Sequence, residues 1–159
     1  MKKARTLLIL PCTNHKPYTE SLTWKYVINK LDGRSDKVEL AAIDCITNPE
    51  TGKPFGLVMK REQSRTLGLD EFPDMAKVHI LQTIVERQLR RKRIHYDRIV
   101  AYVNVKSYWN VLWQLRDKYS ITMLPRLFRK RENWNSAIAG ISPRGAFYRD
   151  IDELLRFID

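Results

Sequence analysis

The sequence predicts an α/β fold, a three-layer α/β/α sandwich around a mainly parallel four-stranded sheet. Three observations carry this. Apolar runs of strand length alternate with stretches whose apolar residues recur at helical spacing, in the order β-α-β-α-β-α-β-α. The run Lys37–Ile46, KVELAAIDCI, is apolar at successive positions, as in a strand buried on both faces of a parallel sheet. Each predicted strand is also followed by a helix long enough to return the chain to a parallel neighbour.

Strand one is expected at Thr6–Leu10, ended by Pro11-Cys12. A polar loop follows, and helix one begins near Ser21. Its Trp24, Val27, Ile28 and Leu31 recur at i, i+3, i+4 and i+7. Asp32-Gly33 ends it, the glycine being free to take a left-handed cap. Strand two is Lys37–Ile46. From Thr47 to Glu71 the pattern fails: Asn48-Pro49, Gly52, Pro54 and Gly56 read as turns, and only Phe55–Met59 looks packed. Pro73 suits the first position of helix two, Asp74–Arg93, whose Val78, Leu81, Ile84, Val85 and Leu89 share a face. Strand three is Tyr96–Asn104, helix three Ser107–Tyr119, and strand four Ile121–Leu124. Arg126–Arg144 reads as irregular and basic. A last helix spans Arg149–Ile158.

The 159 residues are read as one domain, residues 1–159, without repeat or linker. An apolar content of 43% argues against wholesale disorder. No run approaches the ~20 residues that cross a bilayer, and the apolar run after MKKAR is shorter than the roughly 7–15 residues of a signal-peptide core. A cytoplasmic protein without membrane contact is therefore expected. Cys12 and Cys45 have neither metal-ligand spacing nor a disulfide framework. His15, His79 and His95 are scattered, so no metal site is expected. The net charge of +11 favours a polyanionic partner, nucleic acid ahead of an acidic membrane surface.

If the first three strands are parallel, their carboxyl ends gather Cys12-Thr13-Asn14, Asp44-Cys45 and Asn104-Val105-Lys106 in the crevice where such sheets bind ligands. Pro17 holds Lys16 extended beside Tyr18. Ser21 is either a cap of helix one or a site residue. Cys12 is either a small buried group or a nucleophile activated by a positive environment. Two basic runs, Arg87–Arg93 (with Arg90, Arg91, Lys92 and Arg93) and Arg126–Trp134 (with Arg126, Arg129, Lys130, Arg131 and Trp134), are candidate nucleic-acid contacts. The second interleaves cations with Phe128 and Trp134, a pattern suited to phosphates and unpaired bases. Trp109 and Trp113, at i and i+4 on helix three, suit a core edge ahead of a stacking platform.

PCTNHKPYTESLTW resembles the signature of archaeosine synthase, in which Pro-Cys is followed after three residues by Lys-Pro-Tyr and then by serine and histidine. Pro11, Cys12, Lys16, Pro17, Tyr18 and Ser21 match, while Trp24 stands where the family has histidine. Asn48-Pro49 with Phe55–Val58, Phe72-Pro73, and Tyr96–Ala101 are weaker echoes in the right order. The resemblance implies a uracil-DNA-glycosylase-like fold and transfer of free lysine to the nitrile of 7-cyano-7-deazaguanine in archaeal tRNA, with no cofactor. It implies catalytic roles for Lys16, Cys12, Tyr18 and Ser21. Pro17 and Asn14 in the loop, with Asp44 and Asn104 across the crevice, would contact substrate. Larger members carry transglycosylase-like and PUA RNA-binding regions. This chain would therefore use its own basic surface or a separate subunit of that kind, and a radical-SAM partner would release the amidine. The alternative is a non-catalytic, basic nucleic-acid-binding module of the same fold. A base-excision glycosylase is disfavoured, because the first loop offers no persuasive water-activating acid.

Overall fold

The computed structural model describes residues 5–12, 21–60, 74–134 and 143–158. Its elements are β1 (Thr6–Pro11), α1 (Leu22–Lys30), β2 (Val38–Thr47), β3 (Pro54–Met59), α2 (Val78–Lys92), β4 (Arg98–Tyr102), α3 (Lys106–Tyr119), β5 (Ile121–Leu124), α4 (Pro143–Arg149) and α5 (Ile151–Ile158). The sheet has five strands in the order β3-β2-β1-β4-β5. β1 pairs in parallel with β2 and β4, and β4 with β5, whereas β3 runs antiparallel to β2. The four strands that the sequence predicts pair in parallel, and a fifth, β3, makes the sheet mixed and five-stranded where four strands are expected.

Alternation along the strands divides the core into two. Leu7 and Ile9 of β1 face a cluster with Leu81, Val85 and Leu89 of α2 and Leu112 and Leu115 of α3. Leu8 and Leu10 point the other way, to Trp24 and Val27 of α1, Phe147 of α4 and Leu154 of α5. Helices on both faces explain why β1 is buried along its whole length and reads as an unbroken apolar run.

The segment expected to be irregular contains β3. Asn48 and Gly52 close a tight turn, with the Asn48 amide donating to the Lys53 carbonyl at 2.7 Å and the Gly52 amide to the Asn48 carbonyl at 2.8 Å. The chain then returns along β2. Proline and glycine look like strand breakers, but here each has a place. Pro54 opens an edge strand, and Gly56 has φ +79° with the Gln88 side chain against its backbone. Gln88 of α2 accepts from the Leu57 amide at 2.8 Å and donates to the Phe55 and Leu57 carbonyls at 3.0 and 3.2 Å. It thereby occupies main-chain groups on the outer edge of the sheet. A Cβ at Gly56 would lie 2.4 Å from Gln88 Oε1 and 2.9 Å from Ile84 Cγ2. Gly56→Ala is expected to destabilise the protein by about 2 kcal/mol or more, through the left-handed backbone and this clash. An unshifted urea midpoint would refute that.

Helix two begins later than expected. Asp74 caps a 3₁₀ turn, Met75–Lys77, by accepting from the Ala76 amide at 3.2 Å, before α2 starts. The run Arg126–Arg144 is not wholly irregular, for it holds 3₁₀ turns at Arg126–Arg129 and Arg131–Trp134 and the start of α4. The terminal helix expected at Arg149–Ile158 is α5, Ile151–Ile158, and a further helix, α4, precedes it across Asp150. Pro143 supplies the proline that suits a first helical turn.

Candidate active-site crevice

From β1 the chain moves through α1 to β2 on one side, and after β3 it crosses through α2 to β4 on the other side of β1. The switch point lies between β1 and β4, and the crevice outside the carboxyl ends of these strands is where such sheets bind ligands. Cys12 sits there. Its amide extends the ladder by donating to the Ile43 carbonyl at 3.1 Å, and the residue is half-buried.

The thiol does not stand alone. Cys12 Sγ lies 3.0 Å from the Tyr108 hydroxyl, and the Cys45 amide donates to that same oxygen at 3.2 Å. Tyr108, in the first turn of α3, is 1% exposed. Burial foremost, then the adjacent Cys12, pushes its phenol well above the usual range, so it keeps its proton at neutral pH. While Cys12 is a thiol either partner can donate. Once Cys12 is ionised only the phenol can, and the contact then stabilises a thiolate.

Cys45 is a different thiol. It is fully buried, its Sγ donates to the Asp74 carbonyl at 3.1 Å, and burial with Asp44 and Asp74 nearby pushes it up to about 11. Asp44 is also fully buried, and its Oδ1 accepts from the Ile46 amide at 2.8 Å, where the β2–β3 register shifts. Asn104 is half-buried in the connection from β4 to α3. Cys12, Asp44 and Asn104 therefore all belong to the carboxyl end of the sheet, as the sequence predicts. Asn14, Lys16, Pro17 and Tyr18 lie outside the described residues.

Ser21 is buried and serves as the cap of α1, its hydroxyl accepting from the Trp24 amide at 3.1 Å. Trp24 is fully buried, and its indole N–H donates to the Pro11 carbonyl at 3.1 Å. Trp24 thus packs in the core and braces the strand end just before Cys12. Tyr108 is the site residue that sequence reasoning missed. Its position on the apolar face of α3 marks it as core, and nothing local announces a partner 96 residues earlier.

The two basic runs fall at opposite ends of the sheet. The amide of Asp74 donates to the Cys45 carbonyl, which sets the start of α2 at the carboxyl end. α2 then runs to the amino end, where Asp97 donates to the Arg5 carbonyl and Tyr96 to Glu39 at 2.5 Å. Arg90, Arg91, Lys92 and Arg93 are therefore remote from the crevice. Arg126, Arg129, Lys130, Arg131 and Trp134 follow β5 and share the crevice end.

Within that second run, Arg126 pairs with Glu153 at 3.1 Å and Arg129 donates to the Met123 carbonyl at 3.2 Å. Lys130 and Arg131 are exposed, with no carboxylate partner among the described residues. Phe128 and Trp134 stack at 4.0 Å, and Trp109 meets both rings edge-on. Trp113 stacks on Trp109 at 6.0 Å and carries the Arg116 guanidinium 3.7 Å from its ring centre. Trp109 is buried while Trp113 and Trp134 are half-buried, so the group forms the margin of the core and shows part of its aromatic surface.

No protein-family model matches the chain, and no curated protein matches it. Among solved structures it is similar to AF0587, a protein of unknown function, at 18% identity and a TM-score of 0.47, over 93% of this chain and 49% of that one. The chain thus spans about half the length of that protein. No described helix is long and apolar enough to cross a membrane.

Proposed function

We propose that this chain is a cytoplasmic tRNA-modification protein of the archaeosine pathway, or a subunit of such an enzyme, with a uracil-DNA-glycosylase-like fold. It would transfer lysine to the nitrile of 7-cyano-7-deazaguanine in tRNA. One observation carries the reading: the cysteine of the PC-x3-KPY motif stands half-exposed at the switch point, against a phenol that keeps its proton.

The chemistry needs neither redox group nor ATP. Cys12 thiolate adds to the nitrile carbon, a C–S bond forms, one C≡N π bond opens, and the nitrogen takes a proton. The free amine of lysine then adds to the same carbon. The C–S bond breaks, thiolate leaves, and an amidine remains. Lys16 and Tyr18 would supply the proton or hold the lysine carboxylate, while Asp44 and Asn104 border the crevice. The cations at the crevice end, Lys130 and Arg131 foremost, would hold the tRNA beside it, with or without a PUA- or transglycosylase-like subunit, and a radical-SAM enzyme would act next.

The test is nucleoside mass spectrometry of tRNA bearing 7-cyano-7-deazaguanine after incubation with the protein and lysine. A lysine adduct is expected, and Lys16→Ala is expected to remove it. No adduct with any partner subunit would overturn the reading.

A second reading is favoured by the buried indole of Trp24 in place of the family histidine. It is a non-catalytic RNA-binding module of the same fold. It expects salt-dependent RNA binding that drops when Arg126, Arg129 and Arg131 are neutralised and that survives Lys16→Ala.

A further inference from the structure

The amino-end cations have no part in the crevice, yet their density needs a cause. A helix C-terminus attracts one or two positive side chains through its dipole. Here Arg87, Arg90, Arg91, Lys92 and Arg93 fall within seven residues. The α3 C-terminus adds Lys118, and Arg93 donates to its carbonyl at 3.2 Å. Glu86 pairs with Arg90 at 3.4 Å and with Lys118 at 2.6 Å. Arg87, Arg91 and Arg93 are exposed and have no carboxylate partner among the described residues.

We infer that this face docks the sugar-phosphate backbone of an RNA duplex, separately from the crevice. The composition of the two ends separates their partners. The crevice end sets cations beside Trp134, a surface suited to unpaired bases. At the amino end Tyr119 is buried, and the Tyr96 hydroxyl is bound to Glu39 with Arg5 over its ring, so Arg87, Arg91 and Arg93 outnumber the exposed Asp97 and neither ring is offered for stacking. Such a surface reads phosphates and not bases. A six-residue strand, rising ~3.3 Å per residue, holds the two ends about 20 Å apart, so one nucleotide cannot bridge them but a stem and its loop can. Ile94 is 82% exposed, but a single side chain does not make the apolar face with which amphipathic helices enter membranes. This inference rests on the RNA-binding half of the proposed function and not on its chemistry.

The experiment compares the full chain with Arg87→Gln/Arg91→Gln/Arg93→Gln and with Lys130→Gln/Arg131→Gln. The probes are a labelled RNA stem-loop, a single-stranded heptamer and vesicles containing phosphatidylserine. The amino-end variant is expected to lose about 10- to 100-fold in stem-loop affinity and to flatten the log-affinity against log-salt slope by about two to three. It should keep its affinity for the heptamer. The crevice-end variant is expected to lose heptamer binding first. Stem-loop binding unchanged in the amino-end variant, heptamer binding lost equally, or the loss confined to vesicles would each overturn the inference. If lysine transfer is the mistaken part, no RNA yields an adduct while the stem-loop split persists.

Discussion

Tyr108→Phe is expected to lower the proposed lysine transfer by about 10- to 100-fold, and Cys12→Ala to abolish it. The first figure is the ~1.5–3 kcal/mol of a hydrogen bond to a charged group, expressed as a rate. Phenylalanine keeps the ring in its place between β1, β2 and α3 but removes the only proton that Tyr108 can offer Cys12 once the thiol ionises. Alkylation by iodoacetamide separates this role from packing. In Tyr108→Phe, modification of Cys12 should be slower at neutral pH and recover as the pH rises, because the thiolate has lost a donor that favoured it. Cys45 supplies an internal control, since a buried thiol pushed up to about 11 stays unmodified in both proteins. The substitution also strips the Cys45 amide of its acceptor, a cost of about 1–3 kcal/mol, so activity is compared among molecules shown to be folded. Equal alkylation profiles would reduce Tyr108 to a packing residue.

Trp24→Ala costs about 3–5 kcal/mol, the range for emptying a fully buried aromatic site. Trp24→Phe restores much of the volume and leaves the Pro11 carbonyl without its donor, so an intermediate loss of about 1–3 kcal/mol is expected. Trp24→His is the informative variant. It installs the residue of the resembling family, yet in this core it leaves a void and a polar ring, so it should destabilise without raising lysine transfer. Urea unfolding and the adduct assay decide together. A stable Trp24→His protein with higher turnover would show that this position serves the chemistry here as well.

Much of the framework is local and therefore legible. Strand one follows from an unbroken apolar run, and helix one and the α2 face of Leu81, Val85 and Leu89 from a periodicity of 3.6, signals that depend on neighbours a few residues away. The carboxyl-end grouping of Cys12, Asp44 and Asn104 follows from parallel strands alone. β3 is otherwise. Pro54 and Gly56 carry turn signals, and the reason they sit in a strand is Gln88, 31 residues beyond Leu57 along the chain. Ser21 and Trp24 show the same limit from another side, because a motif names positions while burial assigns the cap and the brace.

The sequence by itself determined the α/β class, the burial of the central strands and the excess of positive charge, since each depends on composition or short-range spacing. Only the tertiary structure decided that Tyr108 faces Cys12, that Cys45 is the buried thiol, that a fifth strand closes one edge, and that the two basic runs occupy opposite ends. These are contacts and directions between segments tens of residues apart. They are set by which strand lies beside which and by the direction in which each helix crosses the sheet.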